Sequence, residues 1–559
     1  MAVNNSANEP WLAHYAHACA WDVDLPPLTL PQMFASAAER HRDMPLVDFL
    51  GRRFTYSELH TEARGFAAGL QALGLVKGDR LGLYLPNVPI YVSAYYGAML
   101  AGLTLVNFSP LYTAEELDAQ VADSGARVLV TIDSKALLPT ALKVLEGSAL
   151  ERLVVAPLGT MLSPFKRLAL ALLGRKSLTP IPQRSDVLLW SKMLGRAAPA
   201  SVELDPLTDL ALLQYTGGTT GTPKGAMLTH QNLSANARQV AAIDPGAGQR
   251  DMIMGVLPLF HVFANTCVLN RTVANGGCIA MLPRFEAKQA LKTLQRVKAT
   301  AMPGVPTMFQ ALLDHPDLAR TDFSSLRVCI AGGAPLPLPL KAQWEAASHS
   351  RLVEGYGLTE SSGVVSTNPY EGEERIGSIG QPLPGTRVKL FDREDPTRDA
   401  APGEPGELAI QGPQVMQGYW QRPDAAATAF EERADGRWLR TGDVAVIDDG
   451  GYIRVVDRIK DMIAVGGFKV FPSQVEAVLL THPAVKEALV IGVPDPYRGE
   501  SPRAYVTLSE TASGGELKTW LDARVGKHER VDQVVVRESL PKTMIGKLDR
   551  KALREELGL

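Results

Sequence analysis

LALLQYTGGTTGTPKG, residues Leu210–Gly225, is the stretch from which the rest of the chain can be read. Leu210–Tyr215 has the near-continuous apolar character of a strand covered on both faces. The character then changes: Thr216, Gly217, Gly218, Thr219, Thr220, Gly221, Thr222 and Pro223 lead to Lys224. Glycines let backbone N–H groups converge, threonine hydroxyls add donors, and the lysine supplies charge. That set suits an oxyanion. It does not fit the Walker A loop, which carries Gly-Lys-Ser/Thr into a helix, because Thr222 and Pro223 separate Gly221 from Lys224. Taken alone, the composition would serve equally as a flexible surface linker.

Working outward, strand and helix patterns alternate on both sides. Thr55 with Glu58, and Thr113 with Glu116, are capping boxes that open helices. Strands are expected at Arg80–Leu85, Leu103–Phe108 and Arg127–Ile132. Leu81–Ala114 contains no charged residue. Its prolines split it into strand, short buried helix and strand, too broken to span a bilayer. A second αβ series follows residue 207. From Gly377 to Val456 the helical pattern disappears into Gly-rich short strands, expected to form a small β-barrel or β-rich unit. After Asp457 helices and strands resume over about a hundred residues, enough for a separate domain.

Composition excludes several classes. At 559 residues the chain holds roughly three or four core-sized units. Apolar residues make up 46% and charged residues 21%, as in ordinary globular chains, which excludes disorder as the main state. Fifty-seven basic residues against 60 acidic ones leave a formal charge of −3, against nucleic acid as the main partner. Cys19, Cys267, Cys278 and Cys329 lack metal or disulfide spacing and read as buried reduced thiols. With no signal-peptide pattern at the N-terminus, a cytoplasmic protein is expected, with loose attachment to the inner face of the membrane as the variant.

Four further motifs accompany the Gly-Thr loop: GYGLTE (Gly355–Glu360), RTGD (Arg440–Asp443), DRIKDMI (Asp457–Ile463) and PKTMIGK (Pro541–Lys547). In this order and spacing the chain resembles the adenylate-forming, or AMP-binding, superfamily. NFSPLYTAEEL, PLFHVF and WLRTGDVAVIDDGGYIRVVDRIKDMI make it most similar to bacterial long-chain fatty-acid–CoA ligases. The resemblance implies an α/β fold with a large N-terminal domain, residues 1–457, and a small mobile α+β domain, residues 458–559. Within the former it implies αβ-layered subdomains over about 40–375 and a β-rich one over about 376–457.

The implied chemistry explains the residue types. A substrate carboxylate attacks the α-phosphorus of ATP, so the protein must neutralise and align two anions without supplying a nucleophile. By resemblance Thr216, Thr219, Thr220 and Lys224 hold the β and γ phosphates, with Gly217, Gly218 and Gly221 giving the loop its shape. Thr359 contacts the α-phosphate and Glu360 ligates Mg2+, which commonly takes one carboxylate plus substrate phosphates. Asp443 accepts from the ribose diol with Arg458 beside it. Gly332, Gly333, Ala334, Tyr356 and Gly357 form the adenine slot, where many relatives carry another small residue at Gly333. His261 stands beside the carboxylate pocket, whose acyl part is lined by Val262, Val305 and neighbours of Gly357. Lys547 serves the first half-reaction, Gly466 and Gly467 line the CoA channel for the second, and Lys460 is the hinge. Lys469 stands where close relatives often carry Asn.

Read without the resemblance, several of these residues have plainer roles: a core histidine for His261, a strand-end turn for Gly332–Pro335, a solvated lysine for Lys547 or Lys460. The expected function is an ATP-dependent fatty-acid–CoA ligase using ATP, Mg2+ and CoA. The alternatives are a ligase for a medium-chain, dicarboxylic or aryl acid, or a non-catalytic acyl-binding or membrane-docking protein with the same fold. A homodimer is compatible with either. Met161–Lys176 is apolar with basic ends, which suits either an ordinary amphipathic surface helix or a helix resting on anionic lipid.

Overall fold

The computed structural model describes residues 9–216, 223–246, 248–466, 468–543 and 546–559. Gly217, Gly218, Thr219, Thr220, Gly221 and Gly467 therefore lie outside the described residues.

The strand Leu210–Thr216 sits inside an eight-stranded sheet. On one side it pairs in parallel with Thr104–Phe108, and the sheet continues through Arg80–Tyr84, Ala126–Ile132, Arg152–Ala156 and Val187–Leu189. On the other side it pairs antiparallel with Lys224–Thr229, and Gly418–Tyr419 closes that edge. A nine-stranded sheet is parallel through its middle, from Pro45–Phe49 to Arg351–Tyr356. Parallel sheets need cover on both faces. The charge-free stretch supplies some of it: in the helix Pro89–Leu100 every residue but Leu100 is buried. Among the described residues no helix is long and apolar enough to cross a membrane. Both expected capping boxes form, at Thr55/Glu58 and Thr113/Glu116.

The β-rich part is a five-stranded antiparallel sheet. Its central strand Gly436–Ile447 pairs with Gly406–Gln411, with Phe430–Arg433 and with Ile453–Arg458. The pairings among the described residues leave this sheet open, so it is not the closed barrel offered as one expectation. It also contains a helix, Pro423–Ala429, where none was expected. Seven residues are too few for apolar periodicity to show, and tertiary packing stabilises so short a helix. One unanticipated feature lies at the N-terminus. Trp11 is fully buried, and Tyr15 and Trp21 donate to the carbonyls of Pro382 and Thr386.

One apolar core runs from Trp11 to Ile453. Two separate small cores hold the C-terminal lobe together, around Val475, Val490, Val506 and Leu521 and around Ile491, Tyr505 and Leu553. The lobe is built on the hairpin Val485–Asp495/Gly499–Leu508. The helices Pro472–Leu479, Gly514–Asp522 and Arg550–Glu556 complete it. All four cysteines are free thiols; three are buried, but Cys19 is only partly so, correcting the reading of it as buried.

Candidate active site

The Gly-Thr stretch links two antiparallel strands, with Thr216 registered opposite Lys224. Lys224 therefore opens a strand, and the next helix starts only at His230, capped by Thr229. A Walker A lysine would sit at a helix start, so the rejection of that motif stands on geometry. Tyr215, at the base of this hairpin, donates to Asp123 (2.6 Å), which also receives Arg422 (2.7 Å).

The other motifs converge on the same cavity, about 2300 Å3, lined by both lobes. Ligand pockets commonly hold 300–1000 Å3, so this one has room for more than one substrate. Thr359 and Glu360 form a short 3-10 turn after the strand Arg351–Tyr356. Tyr419 donates to Glu360 Oε1 (2.7 Å), and Lys224 Nζ lies 5.2 Å from the centre of the Tyr419 ring. One aromatic side chain thus joins the hairpin lysine to the carboxylate. A cavity-lining carboxylate, with no cluster of three or more metal-ligating side chains among the described residues, is a donor set that suits Mg2+ shared with substrate phosphates.

Asp443 and Arg458 face each other across adjacent strands, Nε to Oδ1 at 2.9 Å. The Tyr356 hydroxyl donates to the other Asp443 oxygen. Burial, with the Asp443 charge next, pushes the Tyr356 phenol well above its ordinary range, so it stays a donor. Gly332 ends a strand, and a Cβ there would press on the Phe263 ring at 2.9 Å. Gly333 has φ +83°, and a Cβ would come within 2.7 Å of Lys547 Cε. A Cβ on Gly357 would strike the Gly363 carbonyl oxygen. Close approach to backbone demands glycine at 357, whereas at 333 the positive φ favours it. Ala334 lines the cavity beside them.

Lys547 reaches this cavity from the C-terminal lobe. Thr307 donates to the Gly546 carbonyl (3.1 Å), and Lys486 pairs with Asp314 (2.8 Å), so the lobe is held with that turn inserted. Burial and then Arg458 pull the Lys547 ammonium down to about 8, against an opposing pull from Asp443. His261 lines the same cavity. Burial, then Lys547, lowers its imidazole to about 3, and its Nδ1 accepts from Phe263 N–H (3.3 Å). A neutral imidazole follows.

Val262 also lines the cavity, and Val305 lies against Gly333. Lys460 lines it too, in the 3-10 turn Ile459–Asp461 between two strands. Gly466 does not: it is absent from the cavity wall, and its N–H donates to the Arg498 carbonyl on the lobe's own hairpin.

Sequence reasoning missed Tyr419, the Asp123–Arg422–Tyr215 network, and Arg550. Arg550 donates to Glu476 (2.6 Å), and Asp457 accepts from the Ser473 N–H (2.8 Å) across the lobe boundary. A tyrosine after glycine in QGYW was visible, but nothing local ties residue 419 to residue 360.

The fold and this site define an AMP-binding enzyme, the family to which the chain belongs. The family model for AMP-binding enzymes matches residues 34–420, and that for the AMP-binding enzyme C-terminal domain matches 474–547. The chain is 37% identical to a long-chain-fatty-acid–CoA ligase of Bacillus subtilis, covering 98% of both chains. It is 39% identical to the ligase of the same name from Escherichia coli O157:H7, covering 94% of each. Among solved structures it is similar to ATP-bound MatB from Rhodopseudomonas palustris, with a TM-score of 0.81 and 28% identity, covering 95% of this chain and 99% of that one.

Proposed function

We propose that the protein is an AMP-forming ligase that joins long-chain fatty acids to coenzyme A. In the first step a carboxylate oxygen bonds to the α-phosphorus of ATP and diphosphate leaves. In the second the CoA sulfur, having lost its proton, bonds to the acyl carbon and AMP leaves. Lys224 and the Gly-Thr hairpin hold the terminal phosphates, Thr359 the α-phosphate, and Asp443 with Arg458 the ribose. Glu360 would hold Mg2+, which when bound supplies further neutralisation of phosphate charge. Neutral His261 borders the carboxylate, and Lys547 neutralises charge developing between carboxylate and α-phosphate.

One observation carries this reading: Lys547 of one lobe enters the cavity that Lys224, Glu360 and Asp443 of the other line. A degenerate acyl-binding relative would have no need of that convergence. With ATP, Mg2+ and palmitate the products should be AMP and diphosphate; ADP and inorganic phosphate would overturn the mechanism. Each buried methylene contributes about 0.8 kcal/mol, so efficiency should climb roughly fourfold per methylene until the acyl pocket is full. A preference for a dicarboxylic or aryl acid would replace the substrate class and keep the ligase.

The lobes are taken to meet in the arrangement for the first step, since Lys547 lines the cavity and Gly466 does not. Thioester formation then requires rotation about Lys460, at the end of the strand Ile453–Arg458, bringing Gly466 and Gly467 to the cavity. Lys460→Pro, with φ held near −65°, should keep diphosphate release and lose most acyl-CoA output, while Lys460→Ala should be mild in both. Normal acyl-CoA turnover by the proline variant would place the hinge elsewhere.

A further inference from the structure

The helix Pro164–Leu173 has no buried residue. Phe165, Leu168, Leu172 and Leu173 are 81, 58, 71 and 88% exposed. Residues 165, 168 and 172 follow the i, i+3, i+7 spacing of one helix face. A helix of this length is marginal in water by itself, and contiguous exposed apolar surface marks an interaction site. We propose that this helix and its flanking cations dock the protein reversibly on an anionic bilayer surface.

The charge around the helix selects that occupant. From Arg152 to Ser185 there is no acidic residue. Among the described residues Arg167, Arg175 and Lys176 make no ion pair, and Lys166 Nζ donates to the Leu50 carbonyl (2.5 Å). Lys292 and Arg296 lie close enough to depress the Lys166 ammonium further, after burial. The nearby carboxylate, Asp48, is already taken by Arg296 (2.7 Å) and Arg53 (3.6 Å). An apolar face followed along the chain by Arg175 and Lys176, neither ion-paired among the described residues, matches a lipid surface bearing phosphate headgroups. A second copy of this chain would set like charges against each other. The docking argument stands on the helix alone, so the substrate assignment and the docking site can fail separately.

Vesicles of phosphatidylcholine, with and without phosphatidylglycerol, provide the test by co-sedimentation. The wild-type chain should bind the anionic vesicles, release in high salt, and bind neutral ones weakly. Leu172→Asp with Leu173→Asp should cut partitioning by about tenfold or more, since both side chains lose apolar burial. Arg175→Glu with Lys176→Glu should cut it by roughly fivefold or more per charge on anionic vesicles only. Diphosphate release with a water-soluble medium-chain acid, and the melting temperature, should be unchanged, because neither pair is buried. Absence of vesicle binding by the wild-type chain, or equal binding by the variants, would overturn the proposal. So would a loss of dimer mass in light scattering on Leu172→Asp/Leu173→Asp, which would assign the face to a second copy.

Discussion

Two cations in this protein, one buried and one half-buried against the cavity, are treated in opposite ways. Arg271 has a side chain 2% exposed and touches Asp244 (2.5 Å) and Asp251 (2.8 Å). Arg327 completes the square, bonding to the same two carboxylates at 3.0 and 2.8 Å. Two positive and two negative charges cancel. Burial alone would push the Asp244 carboxyl up, but Arg327 and Arg271 hold it below its usual range. Lys547, by contrast, makes no ion pair among the described residues; burial and then Arg458 bring its ammonium down to about 8 against the pull of Asp443. Partly desolvated charge without a close partner is costly, and groups of that kind cluster at functional sites. The first cluster is architecture, and the second is the arrangement that the proposed adenylation site calls for.

The contrast is open to test, beginning with the largest effect. Arg271→Ala would leave two buried carboxylates sharing Arg327 alone and should cost about 3–5 kcal/mol, read as a lower urea midpoint for the large lobe. The protein that remains folded should keep its specific activity. Lys547→Ala should do the reverse. Acyl-adenylate formation should drop about 10²–10³-fold or more, with the urea midpoint unmoved and thioester formation from supplied acyl-adenylate largely intact. Equal loss in both half-reactions would take Lys547 out of its assigned role.

The sign of the pH dependence follows from the same group. Lys547 is charged below about 8, so diphosphate release should be sustained at neutral pH and fall as pH rises through that value. His261, lowered to about 3, stays neutral over this range and should add no limb between pH 5 and 7. Lys547→Arg, charged at all accessible pH, should move the alkaline limb upward. A limb unmoved by that change would belong to another group. The smallest effect is expected at Tyr419. Tyr419→Phe removes the hydrogen bond to Glu360 but keeps the ring under Lys224, and should raise the Mg2+ needed for half-maximal rate about two- to tenfold. An unchanged Mg2+ dependence would separate Glu360 from the metal.

Much of the site was legible along the chain because its chemistry comes in short runs. Gly355–Glu360 gathers its groups at a strand end and Arg440–Asp443 along a single strand, so spacing alone carries the information. The capping boxes at Thr55 and Thr113 are legible for the same reason: their bonds span three residues. Tyr419 on Glu360 and Asp123 under Tyr215 span 59 and 92 positions, and no local pattern records them.

The sequence by itself determined the alternation of strands and helices, the capping of helices at Thr55 and Thr113, and the short runs in which the family's motifs sit. These follow from side-chain periodicity and turn stereochemistry, which act over a few residues. The tertiary structure alone decided that Lys547 shares a cavity with Lys224, that Gly466 faces away from it, and that Pro164–Leu173 is left uncovered. Those outcomes depend on how whole lobes pack, and packing sums many weak, distant contacts that no short stretch of chain contains.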